Sequence, residues 1–174
     1  PHGLYSPLSN LGWESYLLDR LDAELARSAS FEQDLCLVLV EYQDLSPDRP
    51  AYPLVAEAIV DFFGFRDLAF EHGSGGFAII APTIAVEEGI RQTEEFLKKL
   101  LFTLREKAGI DPLEIIPLFF GLSSRAGRLV EGARLLHEAE AALARAKDEQ
   151  DSRIIAFRPD PDKYRAFLAS KSDH

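Results

Sequence analysis

A chain of 174 residues is long enough to bury the core of one domain, and 47% hydrophobic and 28% charged residues are ordinary proportions for a globular protein. The formal net charge of −10 argues against a broad nucleic-acid interface and against direct contact with an anionic membrane. One cysteine, Cys36, excludes an internal disulfide, and its apolar surroundings predict a buried, unreactive thiol. No apolar run is long enough to span a bilayer. The chain starts at Pro1 and contains no methionine, which suggests a piece of a longer protein.

Apolar periodicity predicts helices and strands in alternation along the chain. Apolar side chains at steps of three and four residues predict four helices, at residues 13–30, 51–63, 85–107 and 129–147. Apolar runs rich in β-forming residues predict five strands, at residues 34–42, 67–72, 77–81, 113–122 and 153–157. The order of these elements indicates a mixed fold with one sheet.

Individual residues refine several of these boundaries. Thr83 is a candidate N-cap for the third helix, and Gly109 is a natural stop after it. Pro117 has no N–H to donate, so its strand either lies at a sheet edge or begins after it. The polar, proline-interrupted segment 159–174 predicts a C-terminal tail, with one or two helical turns at 164–168.

A glycine-rich turn separates the strands at 67–72 and 77–81. It consists of Gly73, Ser74, Gly75 and Gly76. Glycine adopts positive φ without steric cost, so this cluster predicts the tip of a β-hairpin. Such a tip also lets a phosphate approach the backbone closely, but a flexible turn without any ligand is the simpler interpretation.

The hairpin resembles the signature of the GGDEF domain of diguanylate cyclases, Gly-Gly-(Asp/Glu)-Glu-Phe. Residues 73–77 read Gly-Ser-Gly-Gly-Phe, with glycine at both acidic positions. Residues 7–11 resemble the opening motif of that family, and residues 139–147 resemble its closing helix. The resemblance implies an α+β fold over residues 1–158: a ferredoxin-like βαββαβ core, similar to the palm of nucleotide cyclases, with a mostly antiparallel sheet flanked by helices.

The same resemblance implies that the magnesium site is lost. The family takes one carboxylate from the end of the first strand and another from the third position of the hairpin. Glu41 matches the first position, whereas Gly75 stands at the second. Mg²⁺ is usually anchored by carboxylates together with substrate phosphates, so we expect no metal site and no cofactor. The alternative for Glu41 is a solvated residue at a strand end.

The phosphate and guanine contacts of the family are also reduced. Lys147 matches the lysine that neutralises triphosphate charge, but Asp151 stands where an arginine is expected. The alternative for Lys147 is a surface residue favoured by the helix dipole. The connection after the first predicted strand, which supplies the guanine contacts in the family, is shortened to the proline-rich loop 46–50. The family also has a product-inhibition motif, Arg-x-x-Asp, just ahead of the hairpin. Asp67 matches its aspartate, but Gly64 stands at the arginine position and Arg66 is out of register.

Other catalytic patterns are weak. The four histidines are scattered without metal-ligand spacing, and Ser123 and Ser124 have no base paired with them in the sequence. His72 lies at the hairpin, where polar residues are common in any case.

We therefore predict a catalytically inactive GGDEF-like signalling domain, cytoplasmic and part of a larger regulatory protein. It would act by binding another protein or a second copy of itself. The alternative is a non-catalytic sensor that binds GTP or cyclic di-GMP through a vestigial site formed by Glu41, Gly73, Ser74, Gly75, Gly76 and Lys147. A third interpretation is an unrelated enzyme on the same scaffold, because a fold does not dictate function.

Overall fold

We describe residues 3–159 of the protein from a computed structural model. The helices are α1 (Leu17–Ser30), α2 (Ala51–Phe63), α3 (Val86–Lys107) and α4 (Gly132–Glu149). The strands are β1 (Leu35–Tyr42), β2 (Ala69–Glu71), β3 (Gly76–Pro82), β4 (Leu118–Ser124) and β5 (Ile154–Ala156). The helical turns predicted at 164–168 lie outside the described residues, and the domain boundary after residue 158 stays a prediction.

The five strands form one sheet in the order β2-β3-β1-β4-β5. β1 is central and antiparallel to both of its neighbours, β3 and β4. β2 and β3 form an antiparallel hairpin, and β5 is added in parallel beside β4. The first four strands and helices α2 and α3 make up the predicted βαββαβ core, so the ferredoxin-like, mostly antiparallel fold is confirmed.

The sheet is buried on both faces because helices cover each side of it. In β1, Val38 and Val40 belong to the core that α2 and α3 cover, whereas Leu37 and Leu39 belong to the core under α1 and α4. Side chains alternate between the two faces of a strand, which places Glu41 on the α1 and α4 side. This explains why β1 reads as a continuous apolar run instead of an alternating one.

Two predicted boundaries in the second half of the chain are wrong. The strand predicted at 113–122 begins later, at Leu118. It therefore starts after Pro117, which was one of the two alternatives, and it lies between β1 and β5 and not at an edge. Residues 113–117 are outside the strand, and the apolar Leu113 and Ile115 are exposed. Helix α4 begins at Gly132, three residues later than predicted, and Leu129 before it is exposed.

The predicted N-cap of the third helix is also wrong. Ala85 occupies the N-cap position without a side-chain hydrogen bond, and Thr83 has a φ of 64°. Thr83 is therefore in a left-handed turn that links β3 to the helix. Cys36 is fully buried, as predicted, and burial raises the pKa of its thiol to about 12, which suppresses the reactive thiolate.

A buried ion pair holds the loop after β4 against α4. Arg128 Nη2 lies 2.7 Å from Glu138 Oε1, and Arg128 Nη1 lies 2.8 Å from Glu138 Oε2. Arg128 also donates to the backbone carbonyls of Ser124 and Arg125. Both charged side chains are less than a tenth exposed, so each depends on the other to offset its desolvation.

We predict that Arg128→Met lowers the free energy of unfolding by about 3 kcal/mol, because the buried Glu138 carboxylate loses its bidentate partner. Arg134→Ala is the matched control: Arg134 also contacts Glu138, at 3.2 Å, but from an exposed position, so we expect a loss of about 0.5 kcal/mol. Urea denaturation of both variants at neutral pH tests this. Equal losses for the two variants would contradict the assigned role of Arg128.

Candidate functional site

The glycine-rich turn closes against the end of β1. The His72 backbone N–H donates to the Gly76 carbonyl at 3.0 Å, which closes the tip of the β2–β3 hairpin. The Tyr42 backbone N–H then donates to the Gly75 carbonyl at 2.9 Å, which attaches the tip to the last residue of β1. Gly73 and Gly75 have φ values of 65° and 71°, as the predicted hairpin tip requires. Ser74 is exposed at the outermost point of the turn.

The two positions that are acidic in the GGDEF signature have no room for a side chain here. A Cβ atom on Gly75 would lie 2.6 Å from the Tyr42 carbonyl oxygen and 2.8 Å from the Leu45 carbonyl oxygen. A Cβ atom on Gly76 would collide with the carbonyl oxygen of His72. All of these neighbours are backbone atoms, which cannot rotate away. A carboxylate at either position therefore requires a different backbone path.

Glu41 and Lys147, predicted as a metal-site remnant and a phosphate-site remnant, contact each other. Lys147 Nζ lies 3.0 Å from Glu41 Oε2 and 3.3 Å from Glu41 Oε1. The Glu41 side chain is 20% exposed and the Lys147 side chain is 30% exposed. Glu41 is thus neither a freely solvated residue nor an open metal ligand, because the ammonium group of Lys147 already balances its charge.

A second carboxylate, from Glu14, contacts the hairpin and was missed in the sequence. The Gly73 backbone N–H donates to Glu14 Oε1, and His72 Nδ1 lies 3.6 Å from the same oxygen. The glycine backbone was predicted to remain available to phosphate, but at Gly73 a protein carboxylate already accepts its N–H. One feature of the sequence pointed to this contact: Glu14 stands where the opening motif of the GGDEF family has arginine.

The opening segment also ties down β2. Ser9 Oγ donates to Glu71 Oε2 at 2.6 Å, and the Glu71 backbone N–H donates to the Gly12 carbonyl at 2.8 Å. Tyr52 in α2 adds a neutral partner: burial, followed by the nearby Glu71 carboxylate, raises the pKa of its phenol. The Glu71 carboxylate therefore places one negative charge on the strand that leads into the turn.

Arg66 and Asp67, which were compared with the inhibitory motif, are engaged by the same opening segment. Arg66 donates to the backbone and side-chain oxygens of Asn10, and its guanidinium lies 3.9 Å from the centre of the Tyr5 ring. The Tyr5 hydroxyl donates to Asp67. Arg66 and Asp67 thus contribute to packing of the N-terminal segment.

The other candidate residues lie away from this site. Ser123 donates to the Leu135 carbonyl at 2.7 Å, and Ser124 pairs with Cys36, at the opposite end of β1 from Glu41. His137 is exposed on α4. Within residues 3–159, no group of three or more His, Cys, Asp or Glu side chains is placed to hold a metal ion. No helix in that range is long and apolar enough to cross a membrane.

Comparison with solved structures identifies the fold. The GGDEF domain of DgcB from Caulobacter crescentus, in complex with c-di-GMP, superimposes with a TM-score of 0.72 over 90% of this chain and 96% of that chain, at 20% identity. The diguanylate cyclase SiaD from Pseudomonas aeruginosa, in complex with its activator SiaC, superimposes with a TM-score of 0.67 over 88% of this chain and 62% of that chain, at 19% identity. The chain therefore has the fold of GGDEF domains.

Sequence comparison adds one relative. An uncharacterized protein from Treponema pallidum (strain Nichols) is 42% identical over 88 residues, and the match spans 50% of each of the two chains. No protein-family model matches the chain. The structural neighbours thus establish the fold, and the function has to be inferred from the site itself.

We predict that Gly75→Ala lowers the free energy of unfolding by about 3 kcal/mol, because it combines backbone strain with a collision against two carbonyl oxygens. Gly73→Ala is the matched control: its φ is also positive, but a Cβ there meets nothing within 4 Å, so we expect only about 1 kcal/mol. Urea denaturation measures both changes. If Gly75→Ala costs no more than Gly73→Ala, the turn is not closed against β1 as described.

Proposed function

We propose that this chain is a catalytically inactive GGDEF-like domain that serves signalling through contact with another protein or with a second copy of itself. The observation that carries the proposal is the closure of the glycine turn on β1, which leaves no space for carboxylates at positions 75 and 76. The cytoplasm and a larger regulatory protein are the proposed setting.

The chemistry of a diguanylate cyclase explains why this observation matters. Joining two nucleoside triphosphates is phosphoryl transfer, which depends on positioning and on charge stabilisation by bound Mg²⁺. Here Glu41 is the one matching carboxylate, and Lys147 Nζ lies 3.0 Å from it. A divalent cation would have to displace that ammonium and would find no second protein ligand from the turn.

Electrostatics at the turn also oppose a bound triphosphate. Glu14 accepts the Gly73 N–H that a phosphate oxygen would use, and Glu71 adds a second carboxylate on the strand that leads into the turn. Asp151 stands where the family has arginine, and the whole chain carries a formal charge of −10. A polyanionic ligand therefore meets repulsion both at long range and at contact distance.

Two neighbours of the same fold support a role in binding. SiaD is solved in complex with its activator SiaC, a protein partner, and the DgcB domain is solved in complex with c-di-GMP. Binding of a protein by this chain is the option that its site favours, because protein contact requires neither the metal nor the triphosphate.

A non-catalytic sensor for GTP or cyclic di-GMP is the second candidate, and the c-di-GMP complex of the DgcB domain is the observation that favours it. Against it, Arg66 and Asp67 are engaged by Asn10 and Tyr5. Direct binding measurements separate it from the first proposal.

For activity, we expect that the protein incubated with GTP and either Mg²⁺ or Mn²⁺ forms no cyclic di-GMP above a boiled control, because the second metal ligand is absent. Chromatography of the nucleotide products, with an active diguanylate cyclase as the positive control, measures this. Product well above the boiled control would refute the proposal of an inactive domain.

For binding, we expect no change in thermal midpoint with GTP, GDP or cyclic di-GMP at millimolar concentration, since the Gly73 N–H and the Lys147 ammonium already have partners within the chain. Thermal unfolding with each nucleotide measures this, and Glu14→Gln, which removes the carboxylate charge, is the variant in which weak binding should emerge first. A saturable increase for the unmodified protein would establish the sensor instead.

A further inference from the structure

A groove runs along the outer surface of the molecule between α2 and α3. Its volume is about 280 Å³, and its apolar floor includes Leu54, Phe62 and Leu100. This surface belongs to the helices on the α2 and α3 side of the sheet, whereas Glu41 and Lys147 lie on the α1 and α4 side. The groove is therefore separate from the vestigial site.

The two rims of the groove carry opposite charge. The α2 rim is acidic, with Glu57 and Asp61, and the α3 rim is basic, with Lys99 and Lys107. All four side chains are exposed. Lys99 contacts its helical neighbour Glu95 at 3.6 Å, and within residues 3–159 the other three form no ion pair. Glu57, Asp61 and Lys107 are thus available to a molecule that covers the groove, and the exposed Lys99 has only contacts on the rim itself, to Glu95 and to the Phe62 ring.

We propose that this face is a two-fold interface between copies of the chain, which rests on the proposed function as an interaction domain. β1 and β3 are antiparallel, and each is followed by a helix that runs back over the sheet, so α2 and α3 are antiparallel as well. A two-fold axis parallel to these helices lays α2 of one copy on α3 of the other, and does so twice. The acidic rim of each copy then faces the basic rim of its partner.

The positions of Asp61 and Lys99 along the helix axes fit this arrangement. The rings of Phe62 and Phe96 contact each other with centroids 5.4 Å apart, which sets the register of α2 against α3. Asp61 is adjacent to Phe62, and Lys99 lies one turn beyond Phe96. Rotation about the two-fold axis does not change the position of a residue along that axis, so Asp61 of one copy faces Lys99 of the other.

A second copy fits the charges better than an unrelated helix. The formal net charge of −10 makes copies repel one another, so self-association requires a local surface where opposite charges meet. Symmetry supplies the matching charge order automatically, whereas a foreign partner has to provide it independently. Phe102, exposed on α3 one turn after Lys99, extends the apolar surface beside the rim. Because α2 is 13 residues long, the face is about 20 Å long. A face of this length is small for a protein interface, so we expect a weak dimer with a dissociation constant on the order of micromolar.

Sedimentation velocity tests the interface. Protein concentrations from about 5 to about 500 µM bracket a dissociation constant in the micromolar range. We expect the unmodified chain to dimerise, and Asp61→Lys or Lys99→Glu to raise the dissociation constant about tenfold, because like charges then face each other. An equimolar mixture of these two variants should dimerise again, since the acidic face of one matches the basic face of the other. Glu94→Lys makes the same charge change as Asp61→Lys but lies outside the groove, so it should leave dimerisation intact.

The mixing experiment separates the interface from protein folding and from net charge. A chain that stays monomeric at every concentration overturns the proposal, as does a dimer that neither groove variant weakens or a mixture that fails to recover dimerisation. These outcomes leave the cyclase and nucleotide-binding measurements unaffected. Failure of the dimer is therefore distinguishable from failure of the proposed inactive domain.

Discussion

Contact between two stretches of backbone determines the structure at the hairpin end of the sheet. The glycine turn of the β2–β3 hairpin lies directly on the carbonyl oxygens of Tyr42, which ends β1, and of Leu45. The hydrogen bond from the Tyr42 N–H to the Gly75 carbonyl holds the turn there. Such an approach is possible only without a side chain. The hairpin is thus attached to the rest of the sheet by direct backbone packing, and this packing occupies the space in which carboxylates would have to project toward a metal ion.

The charged groups around the turn follow the same pattern of internal satisfaction. Lys147 neutralises Glu41, and Glu14 accepts the Gly73 N–H. In a catalytic site these groups would remain available to ions and phosphates, whose binding would then be favoured by unbalanced charge. Partners within the chain remove that preference.

The layered architecture separates the Glu41–Lys147 pair from the surface proposed for assembly. The sheet lies between them, with α1 and α4 on the side of Glu41 and with α2 and α3 on the other side. Changes at Asp61 or Lys99 therefore alter an outer helical surface without disturbing the turn or its hydrogen bonds.

Local spacing along the chain was enough to predict the helices and most strands, because burial of one helix face or of a whole strand leaves a periodic apolar signal. It failed at Leu113 and Ile115, whose apolar side chains resemble a strand but are exposed, since burial depends on what the fold places above them. The amino-acid sequence alone was also enough to show glycine, and no carboxylate, at positions 75 and 76. Only the tertiary structure brought Lys147 to Glu41, 106 positions apart, and Glu14 to Gly73, 59 positions apart. Such pairs arise from the packing of helices and loops against the sheet, which no local pattern records.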